Sequence, residues 1–331
     1  MNILVIGGTR NVGHFLVHDL VKAGHRVTII NRGIERDELP TDVIRLRADR
    51  TDRPQLEKVL AGHSFDAVVD NVVYKGAEAE DIVDVLAGRV GHYIFLSSGQ
   101  VYLVREGLDR PFKEENYEGR VMPAPKPNTY GYEEWLYGVE KRQVEDVMLK
   151  AGAERGFPYT SLRIPMVNGQ RDHFKRFYSY MLRLRDGGPI LVPETPDYPL
   201  RHIYSGDVVK AIRLVLESGK GKGRAFNISQ EETTSLEQFL ALLGGIMGIE
   251  PRIIRVKRSL LEANGFLPDC SPFSDRWMSE LDNTRSKEEL GMHYTPLPDY
   301  LREIVAHYEK NPPPQPAGYR RRRAERDFAQ S

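Results

Sequence analysis

The sequence predicts a doubly wound parallel α/β sheet that carries a smaller C-terminal lobe. Three observations point there. The apolar run Ile3-Leu4-Val5-Ile6 leads at once into a glycine turn, short apolar runs alternate with helical patterns as far as Ile164, and that alternation loosens in the second half. Four consecutive apolar residues read as a strand covered on both faces, as a central parallel strand must be.

The turn is Gly7-Gly8-Thr9-Arg10-Asn11-Val12-Gly13, and an amphipathic helix opens near Asn11. Strand, glycine turn and helix opening together form a place where a dinucleotide pyrophosphate can rest on backbone N–H groups and the positive end of a helix dipole. Gly7, Thr9, Arg10, Asn11, Val12 and Gly13 are therefore the expected contacts of a nicotinamide dinucleotide, which makes the sheet a Rossmann domain. Arg10 stands where the middle glycine of the usual pattern belongs. An ordinary strand-to-helix turn is the bland alternative.

The remaining elements follow in order. The first helix covers roughly Val12 to Ala23, with Phe15, Leu16, Leu20 and Val21 on one side and Gly24 as its stop. Strands are expected at Val27–Ile30, Val43–Leu46, Ala67–Asp70 and Tyr93–Leu96, with a helix from Pro54 to Leu60. A proline- and charge-rich loop, Val101 to Thr129, precedes a long helix from about Tyr132 to Ala153 and a sixth strand, Thr160–Ile164. Helices around Phe174–Leu184 and Gly206–Leu216, a strand Ala225–Ile228 and a helix Leu236–Met247 complete the pattern, the last opened by Thr234 or Ser235 near capping-box spacing. The expected division is a dinucleotide-binding domain over 1–165, with 200–228 returning to it. Residues 166–199 and 229–311 form the substrate lobe, and 312–331 an extended basic tail with the run Arg320-Arg321-Arg322-Arg323.

Composition narrows the class. The 331 residues are 40% hydrophobic and 28% charged, with a formal net charge of +0, an ordinary globular balance that argues against nucleic acid as the main partner. The single Cys270 lies in a turn-like stretch without an evident base partner and excludes an intrachain disulfide or a cysteine-built metal site, so no metal is expected. No apolar run approaches a membrane span, and the N-terminus runs straight into the first strand. The expectation is a cytoplasmic protein with a small-molecule substrate and no membrane partner.

Chemistry concentrates at strand ends. The second strand closes on Asn31 and Arg32, where NAD-binding sheets usually present a carboxylate to the adenosine ribose. An uncharged Asn31 followed by a cation favours a 2′-phosphate, so NADP is the expected cofactor and NAD the alternative. Asp49, after the third strand, is placed to accept from the adenine amino group, or is a plain loop aspartate. Arg171, His173, Lys175, Arg176 and Arg201 are candidates for an anionic or sugar substrate, or simply a solvated helix face.

For catalysis the strongest pair is Tyr137 and Lys141, four residues apart and hence on one helix face. A nearby ammonium stabilises phenolate, and a tyrosine so tuned can exchange a proton with a hydroxyl or carbonyl while hydride moves at nicotinamide. Tyr130 and Tyr132 are rivals, but neither has a lysine four residues on. Ser98, at the end of the fifth strand in Leu96-Ser97-Ser98-Gly99-Gln100-Val101-Tyr102, is the third member; a strand-capping serine is the alternative.

With these pieces in order the chain resembles the extended short-chain dehydrogenases/reductases of the NAD-dependent epimerase/dehydratase family, from Met1 to about Lys310. Further matches are Leu162-Arg163-Ile164-Pro165, Arg201 through Val209, Phe226-Asn227-Ile228 and Leu290-Gly291-Met292. Within the family the Gly-Gly-Thr-Arg opening and the Ser-Ser-Gly-Gln-Val-Tyr-Leu stretch are most similar to the branch of chloroplast stem-loop RNA-binding proteins and their bacterial relatives. The resemblance implies Ser98 at the family's catalytic Ser/Thr position, Tyr137 as the acid/base, Lys141 also on the nicotinamide ribose, Gly7 and Gly13 beside the pyrophosphate, and a homodimer. It implies an oxidoreductase or epimerase acting on a secondary alcohol or ketone of a sugar-like substrate. An RNA-binding or RNA-processing protein that keeps the fold is the second reading, supported by the arginine run. Gly99 and Gln100 replace the Asp-Glu pair of the family's dehydratases, which argues against 4,6-dehydration. Met166 replaces a frequent phosphate-binding asparagine, with Asn168 two residues later.

Overall fold

A computed structural model describes residues 1–34 and 37–330. Strands β1 (Asn2–Ile6), β2 (Arg26–Asn31), β3 (Ile44–Arg47), β4 (Ala67–Asp70), β5 (Tyr93–Ser98) and β6 (Tyr159–Ile164) alternate with helices. These are α1 (Asn11–Lys22), α2 (Arg53–Leu60), α3 (Gly76–Leu86), the short α4 (Gln100–Leu103) and α5 (Tyr130–Arg155). Beyond them come β7 (Val167–Asn168), α6 (Arg176–Arg185), β8 (Ile190–Pro193), β9 (Ile203–Tyr204), α7 (Ser205–Ser218) and β10 (Arg224–Asn227). The chain ends with α8 (Leu236–Met247), β11 (Ile253–Val256), α9 (Arg258–Ala263), α10 (Thr284–Leu290), α11 (Leu297–Lys310) and α12 (Arg322–Phe328).

The first compact unit comprises Met1–Pro165, Ser205–Ser229 and Leu281–His293. Its seven-stranded sheet has the order β10-β6-β5-β4-β1-β2-β3, and every pairing is parallel. The order reverses beside β1, and ligands of open α/β sheets bind at such a switch point. Ile3, Leu4, Val5, Val68, Val69, Ile94 and Phe95 are fully buried, as the continuous apolar runs require of strands covered on both faces. One side of the sheet packs Leu56, Ile82, Val83, Leu86, Val144 and Met148 from α2, α3 and α5 into a single core. The second unit comprises Met166–Tyr204, Gln230–Glu280 and the chain from Tyr294 onward. Its two-stranded parallel sheets are β11-β8 and β7-β9. Its core joins Phe177, Tyr180 and Met181 to Phe239, Leu240, Tyr300 and Ile304.

Capping explains where the main helices begin. Thr129 Oγ1 accepts from Tyr132 N at 3.2 Å, so α5 opens two residues earlier than the apolar pattern shows, and Gly156 at φ 63° closes it. Ser235 and Gln238 form the expected capping box of α8. Three expectations are corrected. Residues 200–204 belong to the second unit, because β9 pairs with β7, and Leu281–His293 belong to the first. The tail is not extended throughout. Residues 312–316 have no regular structure, but α12 docks in the second unit with Arg322 and Glu325 buried. Ser331, the last residue of the expected tail, lies outside the described residues. Among the described residues no helix is long and apolar enough to cross a membrane.

Candidate active site

The glycine turn joins β1 to α1 through bare backbone. Gly7 sits at φ +80°, and a Cβ on Gly13 would lie 2.1 Å from Gly7 O. Glycine is required at both positions, at Gly7 by the left-handed backbone and at Gly13 by the close approach. Arg10 takes the N-cap position in extended backbone (φ −128°, ψ 155°), and the next residue, Asn11, adopts φ 42°. The arginine is therefore accommodated because it does not occupy the left-handed position itself.

The N-cap side chain of α1 makes no capping hydrogen bond, and no acidic residue stands in the first turn. By contrast Asp52 caps α2, Thr129 caps α5 and Ser235 caps α8. An uncapped helix start beside a glycine turn keeps N–H donors and positive dipole available to an anion. The buried Oδ1 atoms of Asn11 and Asn71 have no hydrogen-bond partner among the described residues, and Asn71 N donates to Ile6 O in the same corner. These features fit a dinucleotide. Val12 is 5% exposed and contributes to the core; Thr9 is half-buried.

At the end of β2, Asn31 Oδ1 accepts from Gly33 N at 3.0 Å and from the Arg47 guanidinium. Parallel register places Asn31 opposite Arg47 at the end of β3. Arg32 and Arg47 are both exposed. Asp49 Oδ1 accepts from Thr51 N at 2.9 Å and Thr51 Oγ1 at 2.7 Å. Those bonds hold its carboxyl below the usual range, with the charge of Arg32 adding to the effect. Asp49 is thus committed to its own turn, with Arg32 beside it.

Strand alternation separates Ser97 from Ser98. Ser97 Oγ donates to Glu145 Oε1 at 2.5 Å, in a buried cluster where Arg163 also grips Glu145. Ser98 faces the other way. Its Oγ accepts from Gln100 N at 3.1 Å, and the hydroxyl lies near enough to the Tyr137 phenol to favour its ionised form. A Cβ at Gly138 would lie 2.5 Å from Val104 Cγ1 and 2.9 Å from Gln100 O, so glycine beside Tyr137 lets α4 and α5 meet.

Lys141 follows Tyr137 by four residues and is 2% exposed. Its Nζ donates to Val73 O at 2.7 Å and Leu96 O at 2.9 Å. The ammonium lies 4.7 Å from the centre of the Tyr74 ring and 6.0 Å from that of Tyr137. Burial pushes the Lys141 ammonium down to about 8, opposed by the charges of Asp70 and Glu145. Burial pushes the Tyr137 phenol well above the ordinary tyrosine range, and the nearby Ser98 hydroxyl pulls it back. Asp70, fully buried, accepts from Arg50 and from Tyr93 OH, the latter at 2.8 Å; Arg50 Nη1 also meets Glu78 Oε2 at 3.1 Å.

The structure thus brings Ser98, Tyr137 and Lys141 together at the C-terminal end of β5, and gathers Asn31, Arg32 and Asp49 at the ends of β2 and β3. Arg47, Tyr74 and Asp70 were missed in the sequence; only the register of β3 against β2 would have exposed Arg47. Of the lobe candidates, Arg176 pairs with Asp172 at 3.2 Å, Lys175 Nζ donates to Pro314 O at 3.1 Å, and Arg201 Nε donates to Gln230 O at 2.8 Å. Cys270 is fully buried, and burial pushes its thiol up to about 12. Among the described residues no cluster of His, Cys, Asp and Glu is arranged to hold a metal.

The chain resembles known proteins over this same frame. It is 29% identical over 270 residues to the chloroplast stem-loop binding protein of 41 kDa b of Arabidopsis thaliana, covering 76% of this chain and 65% of that one. It is 33% identical over 154 residues to the 2′-dehydrokanamycin reductase of Streptomyces kanamyceticus, covering 46% of this chain and 39% of the reductase. In both, the match spans less than two thirds of the relative's length. The fold is that of the UDP-glucose 4-epimerase of Thermotoga maritima solved with UDP-glucose (22% identity, TM-score 0.73, 94% of this chain and 99% of that one). It is also that of the dTDP-glucose 4,6-dehydratase of Bacillus anthracis solved with NAD (15% identity, TM-score 0.74, 94% and 97%). The model of the NAD dependent epimerase/dehydratase family matches residues 3–91 and 79–229, which hold the glycine turn, Ser98, Tyr137 and Lys141. The chain belongs to the NAD-dependent epimerase/dehydratase family.

Proposed function

We propose that the protein is an NADP(H)-dependent oxidoreductase or epimerase acting on a secondary alcohol or ketone of a sugar or sugar-like substrate. The observation that carries this reading is the meeting of Ser98, Tyr137 and Lys141 at one strand end. The uncapped start of α1, Gly7 and Gly13 would hold the pyrophosphate, and Arg32 and Arg47 the adenosine 2′-phosphate. Lys141, whose first duty is to Val73 O and Leu96 O, would meet the nicotinamide ribose from the same wall. When bound, the cofactor supplies a hydride acceptor or donor at nicotinamide C4. Tyr137 then exchanges the hydroxyl proton, Ser98 shares the substrate oxygen, and the Lys141 cation favours the phenolate that burial disfavours. Two relatives support the substrate class: the reductase named for an aminoglycoside and the epimerase solved with UDP-glucose.

The test is single-turnover hydride transfer, followed by absorbance at 340 nm, with purified protein, NADPH and a panel of keto-sugars. Tyr137→Phe is expected to lower the rate by at least about a hundredfold while NADPH binding changes little. Turnover retained in Tyr137→Phe refutes the assignment. The plant stem-loop binding relative keeps an RNA-binding reading alive. The arginine run offers it less than its sequence implies, because Arg322 is 5% exposed and ion-paired.

A further inference from the structure

Tyr74 is 44% exposed, yet its ring covers a buried charge. The Lys141 ammonium lies over that ring, 4.7 Å from its centre, closer than the 6.0 Å that separates it from the centre of the Tyr137 ring. The loop that carries Tyr74 from β4 to α3 is held along its backbone. Asp70 Oδ1 accepts from Val72 N at 2.9 Å, Glu78 Oε2 accepts from Tyr74 N at 2.9 Å, and Val73 O accepts from Lys141 Nζ. Arg50 grips both of those carboxylates. The hold on its backbone thus sets the ring over the ammonium.

The charged groups around Lys141 are Asp70 at the end of β4, Glu78 on α3, Glu145 on α5 and Arg50 after β3, with the Tyr137 phenol one turn away. Each of the three carboxylates is committed to an arginine: Asp70 and Glu78 to Arg50, and Glu145 to Arg163. Among the described residues none pairs with Lys141 itself, whose hydrogen bonds go to two carbonyls. For a buried cation without a carboxylate in contact, an aromatic face is a substitute, since the negative face of the ring quadrupole attracts an ammonium within about 6 Å. Tyr74 keeps a neutral ring while Lys141 titrates, because burial and the charges of Asp70 and Glu78 hold its phenol above the ordinary tyrosine value.

We infer that Tyr74 is a positioning residue for Lys141: its ring face holds the ammonium charged and in place beside Tyr137, and its hydroxyl is not needed for this. The effect on catalysis rests on the reading of Lys141 and Tyr137 given above; the contact does not. Phenylalanine at this position keeps the face, whereas leucine fills the space without one.

The test compares Tyr74→Phe with Tyr74→Leu in the full-length protein. At so exposed a position both are expected to fold as the wild type does. NMR titration of protein labelled with 13C at lysine Cε reads the Lys141 midpoint directly, its resonance being assigned by its loss in Lys141→Met. Tyr74→Phe is expected to titrate with the wild type, and Tyr74→Leu lower by about 0.5–1.5 pH units, the loss of a desolvated cation–π contact. The alkaline limb of kcat/KM for keto-sugar reduction by NADPH should move down equally, in Tyr74→Leu alone. An unchanged midpoint in Tyr74→Leu, or an equal fall in Tyr74→Phe, overturns the inference. A midpoint that falls as expected while the alkaline limb stays in place, or while the wild type reduces no keto-sugar, upholds the contact and defeats the catalytic reading of Lys141.

Discussion

The Lys141 ammonium lies 6.0 Å from the centre of the Tyr137 ring, one helical turn further along α5, and is held there by Val73 O and Leu96 O. Two carbonyls are a thin replacement for water around a buried cation, so the charged form is disfavoured and Lys141 titrates at about 8 instead of near the usual lysine value. Nearby Asp70 and Glu145 limit the fall. The cation is thus poised at the edge of neutral pH.

That has a consequence for stability. The folded chain gives up the Lys141 proton at about 8, and the unfolded chain holds it until near 10.4. Between those values the unfolded state binds more protons, so stability rises with pH through that window. Below about 8 the full burial cost is present. Lys141→Met removes this contribution. From pH 7.5 to 9.5, the wild type is expected to gain on the order of 2 kcal/mol relative to the variant. Urea unfolding of both proteins at several pH values measures it, and a difference that does not change with pH refutes the buried-cation account.

The Arg47 contact to Asn31 defines a second prediction. Asn31 brings no negative charge to the ribose side of the site, and two exposed guanidinium groups, from Arg32 and Arg47, stand at these strand ends. A 2′-phosphate there would gain charge-assisted hydrogen bonds, each about 1.5–3 kcal/mol. NADPH is expected to bind more tightly than NADH. Arg32→Ala and Arg47→Ala should each weaken NADPH by about ten- to a hundredfold, with little effect on NADH. Fluorescence titration of the reduced nucleotides decides this; equal wild-type affinities would defeat the NADP assignment.

Much of this architecture was legible because it is local. Ile3–Ile6 could only be a doubly covered strand, and Gly7 and Gly13 had to be glycine for reasons of backbone space that a sequence pattern captures. Tyr137 and Lys141 were legible for the same reason, since helical spacing alone sets their relation. Arg47 was not, because its partnership with Asn31 depends on which residues two strands place side by side. Nor was the Glu134–Gln100 contact, which depends on α4 folding back against α5 over Gly138. The polar tail misled for a related reason: its composition reads as solvated, whereas the buried partners of Arg322 and Glu325 lie far away in the chain.

Gly13 offers a direct check on the turn. A methyl group there would sit 2.1 Å from Gly7 O, a backbone atom with no freedom to withdraw without moving β1 or α1. Gly13→Ala is expected to cost several kcal/mol in stability or to splay the turn, and in either case to abolish nucleotide binding. Calorimetry with added NADPH shows it: the wild type should gain thermal stability with ligand and the variant should not. A variant stabilised as much as the wild type excludes the turn as the pyrophosphate site.

The tail makes the last prediction. Arg183, fully buried on α6, donates to Glu325 Oε1 at 2.6 Å and Oε2 at 3.1 Å, and Arg322 meets the same carboxylate at 3.0 Å while pairing with Asp186 at 2.6 Å. Burying such a network is not in itself a strong source of stability, because desolvation offsets the attraction. Removing one member is different, since the Arg183 guanidinium remains inside without its counter-charge. Glu325→Ala is expected to destabilise the second unit by about 3–5 kcal/mol, whereas Arg323→Ala, at an exposed site with a 3.9 Å contact to Asp327, should change it by less than about 0.5 kcal/mol. Urea unfolding of the two variants separates them. Equal, small effects would mean that α12 lies loosely on the second unit, returning the arginine run to solvent and restoring its weight in the RNA-binding reading.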